Sequence, residues 1–441
     1  MCAVDGHKVF SEIRPEFLRG AQDRLPPSPE REKTRKEGGS MAKEPGREDV
    51  GFETRAVHGG KEGKDPWRAL TPPIYMTSTY TFPSMETVDR VTGGQEEGFV
   101  YSRAGNPTVR AFERTMAELE GGEEGVAFSS GMGAIAAVLL SWAKKGTPFL
   151  FSRHLYSGTR HFIESMLIPL GATVRFVSFP EGSPASGDLE EALREGAAGL
   201  FLETPSNPIL EIVDLSATAA LCRSYGVPLA VDNTFPSPAL QNPLLLGADL
   251  VIHSATKYLG GHGDLLGGVA VGDRQTIQSL RSVEAPLLGA TLSPMNAWLI
   301  LRGIKTLALR MEAHSQRASL LARILSGHRS VVRVHYPGLP EHPGHGIALR
   351  QMKGTGGMLA ILFASFEEAR RFMDRLRIIR IGVSLGDPAS LVEHPASMSH
   401  RGWSREVRQS MGIEEGLVRM SVGLESPDDL VRDVEGALAG L

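Results

Sequence analysis

The residues whose types and spacing best suit chemistry lie in two stretches, Val231-Asp232-Asn233-Thr234 and, about 25 residues on, His253-Ser254-Ala255-Thr256-Lys257. Each follows a short apolar run that reads as a strand. A carboxylate and an amine placed at neighbouring strand ends can do paired work. The amine can form a Schiff base with an aldehyde, and the carboxylate can keep a pyridine nitrogen protonated, which suits pyridoxal phosphate. The same two residue types also make a plain surface ion pair, a common feature worth only about 0–1 kcal/mol.

A phosphate needs converging backbone N–H groups at a helix start. Ser129-Ser130-Gly131-Met132-Gly133 supplies such a turn and runs into Ala134-Ile135-Ala136-Ala137-Val138, a good helix start. Gly131 and Gly133 permit close backbone approach, and Ser254 and Thr256 add hydroxyls. Taken alone, this is also how an ordinary glycine turn between strand and helix looks. Neither a dinucleotide-type Gly-x-Gly-x-x-Gly nor a Gly-x-x-x-x-Gly-Lys loop is present.

These segments need a scaffold that brings strand ends together. From Gly121 to about Val271 short apolar runs alternate with helical stretches, the pattern of a mostly parallel sheet with helices on both faces, an α/β fold. Strands are expected at Gly125–Phe128, Pro148–Ser152, Thr173–Ser178, Gly199–Glu203, Val227–Val231, Leu250–His253 and Gly268–Val271. Ligands collect at the carboxyl ends of such strands, so Ser129 to Met132, Tyr156, Asn207, Asp232 and Ser254 to Lys257 should share one crevice. A long helical pattern from Met295 to about Ser326 leads into a mixed segment with strands at Val331–His335, Met358–Ala364, Ile379–Val383 and Val418–Val422. The division expected is a disordered extension over 1–50, an arm over 51–104 lying on a neighbouring subunit, a large cofactor-binding domain over 105–295 and a smaller C-terminal α+β domain over 296–441.

Composition narrows the function classes. The chain has 441 residues, 41% hydrophobic, with 47 Lys and Arg against 51 Asp and Glu and a net charge of −4. That leaves no basic field to attract nucleic acid or an anionic membrane, and small-molecule chemistry is the expectation. Two cysteines, Cys2 and Cys222, are too few for a disulfide framework or thiolate metal site and fit a reducing, cytoplasmic setting. The longest apolar run, Ala134 to Leu140, falls far short of the roughly 20 residues that span a bilayer. Residues 1–50 are polar and Pro-rich without a secretory h-region, and Met41 is a candidate start. A metal hydrolase reading rests on 13 histidines and His342-Pro343-Gly344-His345, a Pro/Gly turn without a nearby carboxylate set; no metal is expected.

The assembled motifs resemble the fold-type I pyridoxal-phosphate enzymes of cysteine and methionine metabolism, which include cystathionine γ-synthase, cystathionine γ-lyase and methionine γ-lyase. The resemblance runs from about Phe52 to the C-terminus. It is carried by Tyr101-Ser102-Arg103-Ala104-Gly105-Asn106-Pro107-Thr108, Ser130-Gly131-Met132, Leu155-Tyr156, Glu203-Thr204-Pro205-Ser206-Asn207-Pro208, Val231-Asp232-Asn233-Thr234, His253-Ser254-Ala255-Thr256-Lys257-Tyr258 and Arg419-Met420-Ser421-Val422-Gly423-Leu424-Glu425.

The resemblance implies that Lys257 carries the cofactor and later moves protons, and that Asp232 pairs with the ring nitrogen. Tyr156 would stack on the ring and act as an acid. Gly131, Met132, Ser254 and Thr256 would hold the phosphate, with Tyr101 and Arg103 reaching it from a neighbouring subunit of a homotetramer. Asn207 would lie near the phenolic oxygen. Arg419 would clamp the substrate carboxylate, a task for a planar fork, and Ser384 would touch the substrate backbone.

Within the family, Tyr258 to Asp264, Val383 to Asp387 and Glu393 to His400 resemble methionine γ-lyases most. Val383 stands where cystathionine enzymes usually carry a glutamate able to meet a distal ammonium. The reaction implied is γ-elimination from methionine to methanethiol, 2-oxobutanoate and ammonia. Two departures point elsewhere. Gly158 replaces the cysteine that methionine γ-lyases place two residues after the stacking tyrosine, and Ala285 and Pro286 stand where the family's active-site lysine and aspartate pair is expected. Cystathionine γ-lyase, cystathionine γ-synthase or O-acetylhomoserine/O-succinylhomoserine sulfhydrylase chemistry stays open, as does a cofactor binder without turnover, against which the presence of Tyr156, Lys257 and Arg419 argues.

Overall fold

The computed structural model describes residues 50–60, 67–143, 146–184 and 188–441. The extension read over 1–50 therefore lies, but for Val50, outside the described residues. All seven strands expected in the first half are present within two residues of their expected ends: β1 Glu124–Phe128, β2 Phe149–Ser152, β3 Val174–Val177, β4 Gly199–Glu203, β5 Leu229–Asp232, β6 Leu250–Ser254 and β7 Gly268–Gly272. They form one sheet in the order β1-β7-β6-β5-β4-β2-β3. Only β7 runs against its neighbours, so the carboxyl ends of β2 to β6 point the same way. The strands are near-continuous apolar runs because both faces are covered. Phe128, Ala134, Val138, Phe151 and Phe201 pack on one face, and Leu150, Leu200, Leu202, Leu229 and Val231 on the other.

A second sheet holds β8 Val331–His335, β9 Met358–Phe363, β10 Arg380–Ile381, β11 Leu391–Glu393 and β12 Leu417–Ser421 in the order β10-β11-β12-β9-β8. Three of the four expected strands appear nearly as read. The strand expected over Ile379–Val383 shrinks to two residues because Asp433 captures the backbone N–H groups of Arg377, Ile378 and Ile379, and Ser384 turns away with φ 88°. β11 had no signal in the sequence: three residues are too few for alternation to show.

The helix expected from Met295 to Ser326 is two, Pro294–Ile304 and Leu307–Ser326. Gly303 forces the break. A Cβ there would lie 2.3 Å from the Gly260 carbonyl oxygen, and its own carbonyl is occupied by the Arg310 guanidinium at 2.7 Å and by the Thr306 hydroxyl at 3.3 Å. In the expected arm, the helix Phe52–His58 packs on the chain's own helix Pro107–Glu120, with Ala56 buried and Arg55 Nη1 donating to the Glu118 carbonyl at 2.8 Å. Beyond it, Trp67, Leu70 and Met76 are about 67–76% exposed. Among the described residues, no helix is long and apolar enough to cross a membrane.

Candidate active site

Three parallel strand ends start the site. β4 ends on Glu203, β5 on Asp232 and β6 on Ser254, and all three residues line a cavity of about 470 Å³. Gly131, Met132, Tyr156, Asn207, Thr256, Lys257, Ser384 and Arg419 line the same cavity, so twelve residues singled out by sequence motifs reduce to ten that converge and two that do not. Those two are Tyr101 and Arg103. Tyr101 is 46% exposed, and the Arg103 guanidinium lies 5.7 Å over its ring while donating to the Pro286 carbonyl.

The turn after β1 brings a capped helix start against the end of β6. Ser130 caps the helix Gly131–Ser141, its Oγ accepting the Gly133 N–H at 3.1 Å, and the buried Ala134, Ile135, Ala137 and Val138 anchor the helix in the core. The first N–H groups of such a helix face outward with a positive dipole end. A Cβ on Gly131 would stand 2.7 Å from Ser254 Cβ, so only glycine lets the two walls meet. Thr256 is held by exchange with Gly267, Oγ1 accepting its N–H at 3.1 Å. The next residues, Tyr258 and Leu259, are buried and fix the Lys257 backbone.

Asp232 accepts the Thr234 N–H on Oδ1 at 2.9 Å. Burial pushes its carboxyl up, with the Thr234 bonds and nearby His253 pulling the other way. Lys257 Nζ donates to Ser384 Oγ at 2.7 Å. Burial, helped by the Arg419 charge, lowers this ammonium to about 8, with Glu393 opposing. Burial pushes the Tyr156 phenol up, so it keeps its proton near neutrality.

Arg419 sits on β12 opposite Glu393 of β11. Its Nη1 donates to Asn207 Oδ1 at 3.0 Å and lies 3.1 Å from Glu393 Oε1, and its Nη2 donates to the Ser384 carbonyl at 2.8 Å. Nε is buried without a partner among the described residues. Asn207 is thus committed to the arginine. Glu203, Glu393 and Ser399 also line the cavity and were assigned no role from sequence. Glu203 had a signal, because the strand-end rule that singled out Asp232 applies to it equally. Glu393 lies on the strand that left no pattern.

The cavity residues fit pyridoxal phosphate: a helix start that admits only glycine against Ser254 for the phosphate, a half-buried carboxylate for a ring cation, and an amine of lowered basicity for an aldehyde. Residues 53–439 match the family model described as Cys/Met metabolism PLP-dependent enzyme. The chain belongs to this family. It uses pyridoxal 5'-phosphate and sits in the group that holds the methionine γ-lyases and cystathionine lyases. It is 44% identical to an L-methionine γ-lyase of Pseudomonas putida, over 88% of this chain and 97% of that protein. It is 41% identical to a cystathionine γ-lyase of Bacillus subtilis, over 88% of this chain and 99% of that one. The structure of a cystathionine γ-synthase of Xanthomonas oryzae pv. oryzae in complex with aminoacrylate and cysteine superposes with a TM-score of 0.83 at 38% identity, covering 88% of this chain and 98% of that one.

The histidines weighed as metal ligands serve the backbone. His342 Nδ1 accepts the Gly344 N–H at 3.0 Å and His345 Nδ1 meets the Pro337 carbonyl at 2.8 Å. Among the described residues no three His, Cys, Asp or Glu side chains converge as a metal site.

Proposed function

We propose that this enzyme carries out γ-elimination on a sulfur amino acid, with L-methionine and water as reactants and methanethiol, 2-oxobutanoate and ammonia as products. Val383 carries the reading. It lines the cavity with an aliphatic side chain that tolerates a thioether and cannot meet a distal ammonium. The carboxylates in the wall are already engaged, Glu393 by Arg419 and Ser399 and Glu203 by the Tyr156 N–H.

Bound pyridoxal phosphate supplies the electron sink that makes the substrate's α-proton acidic. Gly131, Met132, Ser254 and Thr256 would hold its phosphate, Asp232 its ring nitrogen and Tyr156 its ring face. Arg419 grips the substrate carboxylate through its guanidinium fork. Lys257, poorly basic for a lysine, takes the α-proton at Nζ and returns protons along the same face. Tyr156 keeps its phenol proton and gives it to the departing sulfur. Ser384 steers Nζ through its hydroxyl. Tyr101 and Arg103, remote from this chain's cavity, serve a neighbouring subunit's phosphate in a homotetramer, and the exposed apolar side chains of residues 67–76 support that contact.

A second reading has one observation behind it. A Cβ at Gly158 would lie 2.5 Å from the Tyr156 ring, so no side chain intervenes where methionine γ-lyases carry cysteine. The ring packed against this glycine, a residue that cystathionine enzymes also carry here, suits cystathionine lyase or synthase chemistry, or an O-acylhomoserine sulfhydrylase. The deciding experiment offers methionine, homocysteine, cystathionine and O-acetylhomoserine with sulfide in parallel. Methanethiol from methionine is expected to dominate, and product from the sulfide reaction alone overturns the lyase reading.

A further inference from the structure

Two carboxyl groups end neighbouring parallel strands at paired positions, Glu203 on β4 and Asp232 on β5. Paired residues on adjacent strands send their side chains to the same face, about 5 Å apart, and both of these reach the cavity. Glu203 is only 6% exposed. Asp232 is half-buried, and two carboxyl groups so close, one of them nearly dry, resist ionising together, which favours one proton on the pair. The pair's surroundings decide which group keeps it.

Asp232 has the Thr234 backbone and hydroxyl on it and the His253 ring of β6 nearby. A protonated ring nitrogen would add a full positive charge to it alone. Glu203 has the Tyr156 N–H on Oε1 at 2.6 Å and a backbone bond from Asn207. The other groups that bear on this corner are the Tyr156 phenol and, beyond it, Arg419 and Glu393 of the second sheet. No cation is assigned to Glu203 itself, and burial with the Asp232 charge beside it drives its carboxyl well above the usual range.

We propose that Glu203 is a positioning residue of this site, a carboxylic acid held protonated between Asp232 and the backbone of Tyr156. The inference rests on the reading of Asp232 as the partner of the cofactor's ring nitrogen. Its proton leaves Asp232 as the single anion of the pair, so the ring cation is matched by one charge. Its carbonyl-like oxygen anchors the residue whose aromatic ring covers the cofactor. An ionised Glu203 would press a second anion on the Tyr156 phenol and make its proton harder to release.

The test uses the holoenzyme near neutral pH with Glu203→Gln and Glu203→Ala. The infrared difference between parent and Glu203→Gln should show the loss of a protonated carboxylic-acid stretch; loss of an ionised carboxylate band instead overturns the proposal. Glutamine still accepts the Tyr156 N–H, so its cofactor affinity should stay within about threefold of the parent, whereas alanine strands a buried donor and should weaken it on the order of tenfold. Alanine with parental affinity removes the positioning role. If the glutamine variant does not fold, carboxyl-labelled glutamate in the parent must shift an acid band, and a spectrum without one is equally decisive against the idea. A Lys257→Ala protein that keeps the parent's visible colour would instead sink the site reading and leave the infrared result for Glu203 standing.

Discussion

Ser384 ties the two working cations of the site together: its hydroxyl accepts Lys257 Nζ at 2.7 Å and its carbonyl accepts Arg419 Nη2 at 2.8 Å. It does so in a left-handed conformation, φ 88°, which a residue with a Cβ adopts at a cost of about 1–3 kcal/mol. The strain is consistent with a position chosen for what it holds.

Removing only the hydroxyl separates these roles. Ser384→Ala should lower kcat on the order of tenfold, since Nζ loses its guide, while KM changes little because the carbonyl still meets Arg419. Ser384→Gly should lose kcat equally but melt above Ser384→Ala, because glycine accepts this φ without strain. Steady-state kinetics and thermal melts of both variants check this. An unchanged kcat in Ser384→Ala would detach the hydroxyl from the chemistry.

The lowered basicity of Lys257 predicts a pH dependence for the cofactor-free protein. Only the neutral amine attacks an aldehyde, so the rate of cofactor capture should rise as pH increases through about 8 and level off above it. The stability sign follows from the same shift. With the folded pKa near 8 and the unfolded one near 10.5, the unfolded chain binds more protons in that window. Lys257 therefore penalises the cofactor-free fold below about 8, and the penalty fades as pH rises towards 10.5. Stopped-flow absorbance against pH measures the first, and denaturant melts the second. A capture rate flat across this range would contradict the burial of Nζ.

The phosphate cradle can be closed with one methyl group. Gly131→Ala puts Cβ 2.7 Å from Ser254 Cβ and 2.9 Å from its Cα, distances that force the helix start and the Ser254 turn apart. Cofactor affinity should fall at least about tenfold, a loss of about 1.4 kcal/mol or more, in an absorbance titration. Parental affinity would place the phosphate elsewhere.

Much of this site was legible because strand-end polar residues in an α/β fold must meet, whatever their separation in sequence. Asp232 and Lys257 were found by that rule, and so was Asn207, although its amide proves to serve Arg419. What stayed hidden depends on tertiary pairing. Glu393 reveals itself only when β11, three residues long, is laid against β12, and the break at Gly303 only when the Gly260 carbonyl is seen against it. Tyr101 and Arg103 carry a motif but do not line their own chain's cavity, and the sequence offered no pattern that would have said so.

The proposed preference for methionine rests on Val383. Val383→Glu would add a carboxylate to the cavity wall at a residue 57% exposed, where it can stay hydrated and ionised. The ratio of kcat/KM for cystathionine to that for methionine should rise by about tenfold or more, the value of one partly solvated charge-assisted bond. Product assays with both substrates measure it, and an unchanged ratio would move specificity away from this wall.

On the proposal that Arg419 grips the substrate carboxylate, Glu393 sets how much of its charge is left for that task. Its carboxylate lies on Arg419 Nη1 and accepts from Ser399 Oγ at 2.9 Å, with both ion-pair partners at most 5% exposed in their side chains. Glu393→Gln keeps the shape and an acceptor but removes the charge. Losing one partner of a buried pair costs up to about 3–5 kcal/mol; with the hydrogen bond retained, about 3 kcal/mol or less is expected as a lower melting temperature. Binding should move the opposite way, because the guanidinium no longer shares its field and KM for the amino acid should fall. Lys257 reports on the same change. Glu393 supports its ammonium against Arg419, so without that support the pH at which cofactor capture rises should move below about 8. Lower stability with a lower KM and an earlier rise identifies a counter-ion; a higher KM would show that Glu393 orients Arg419 by shape alone.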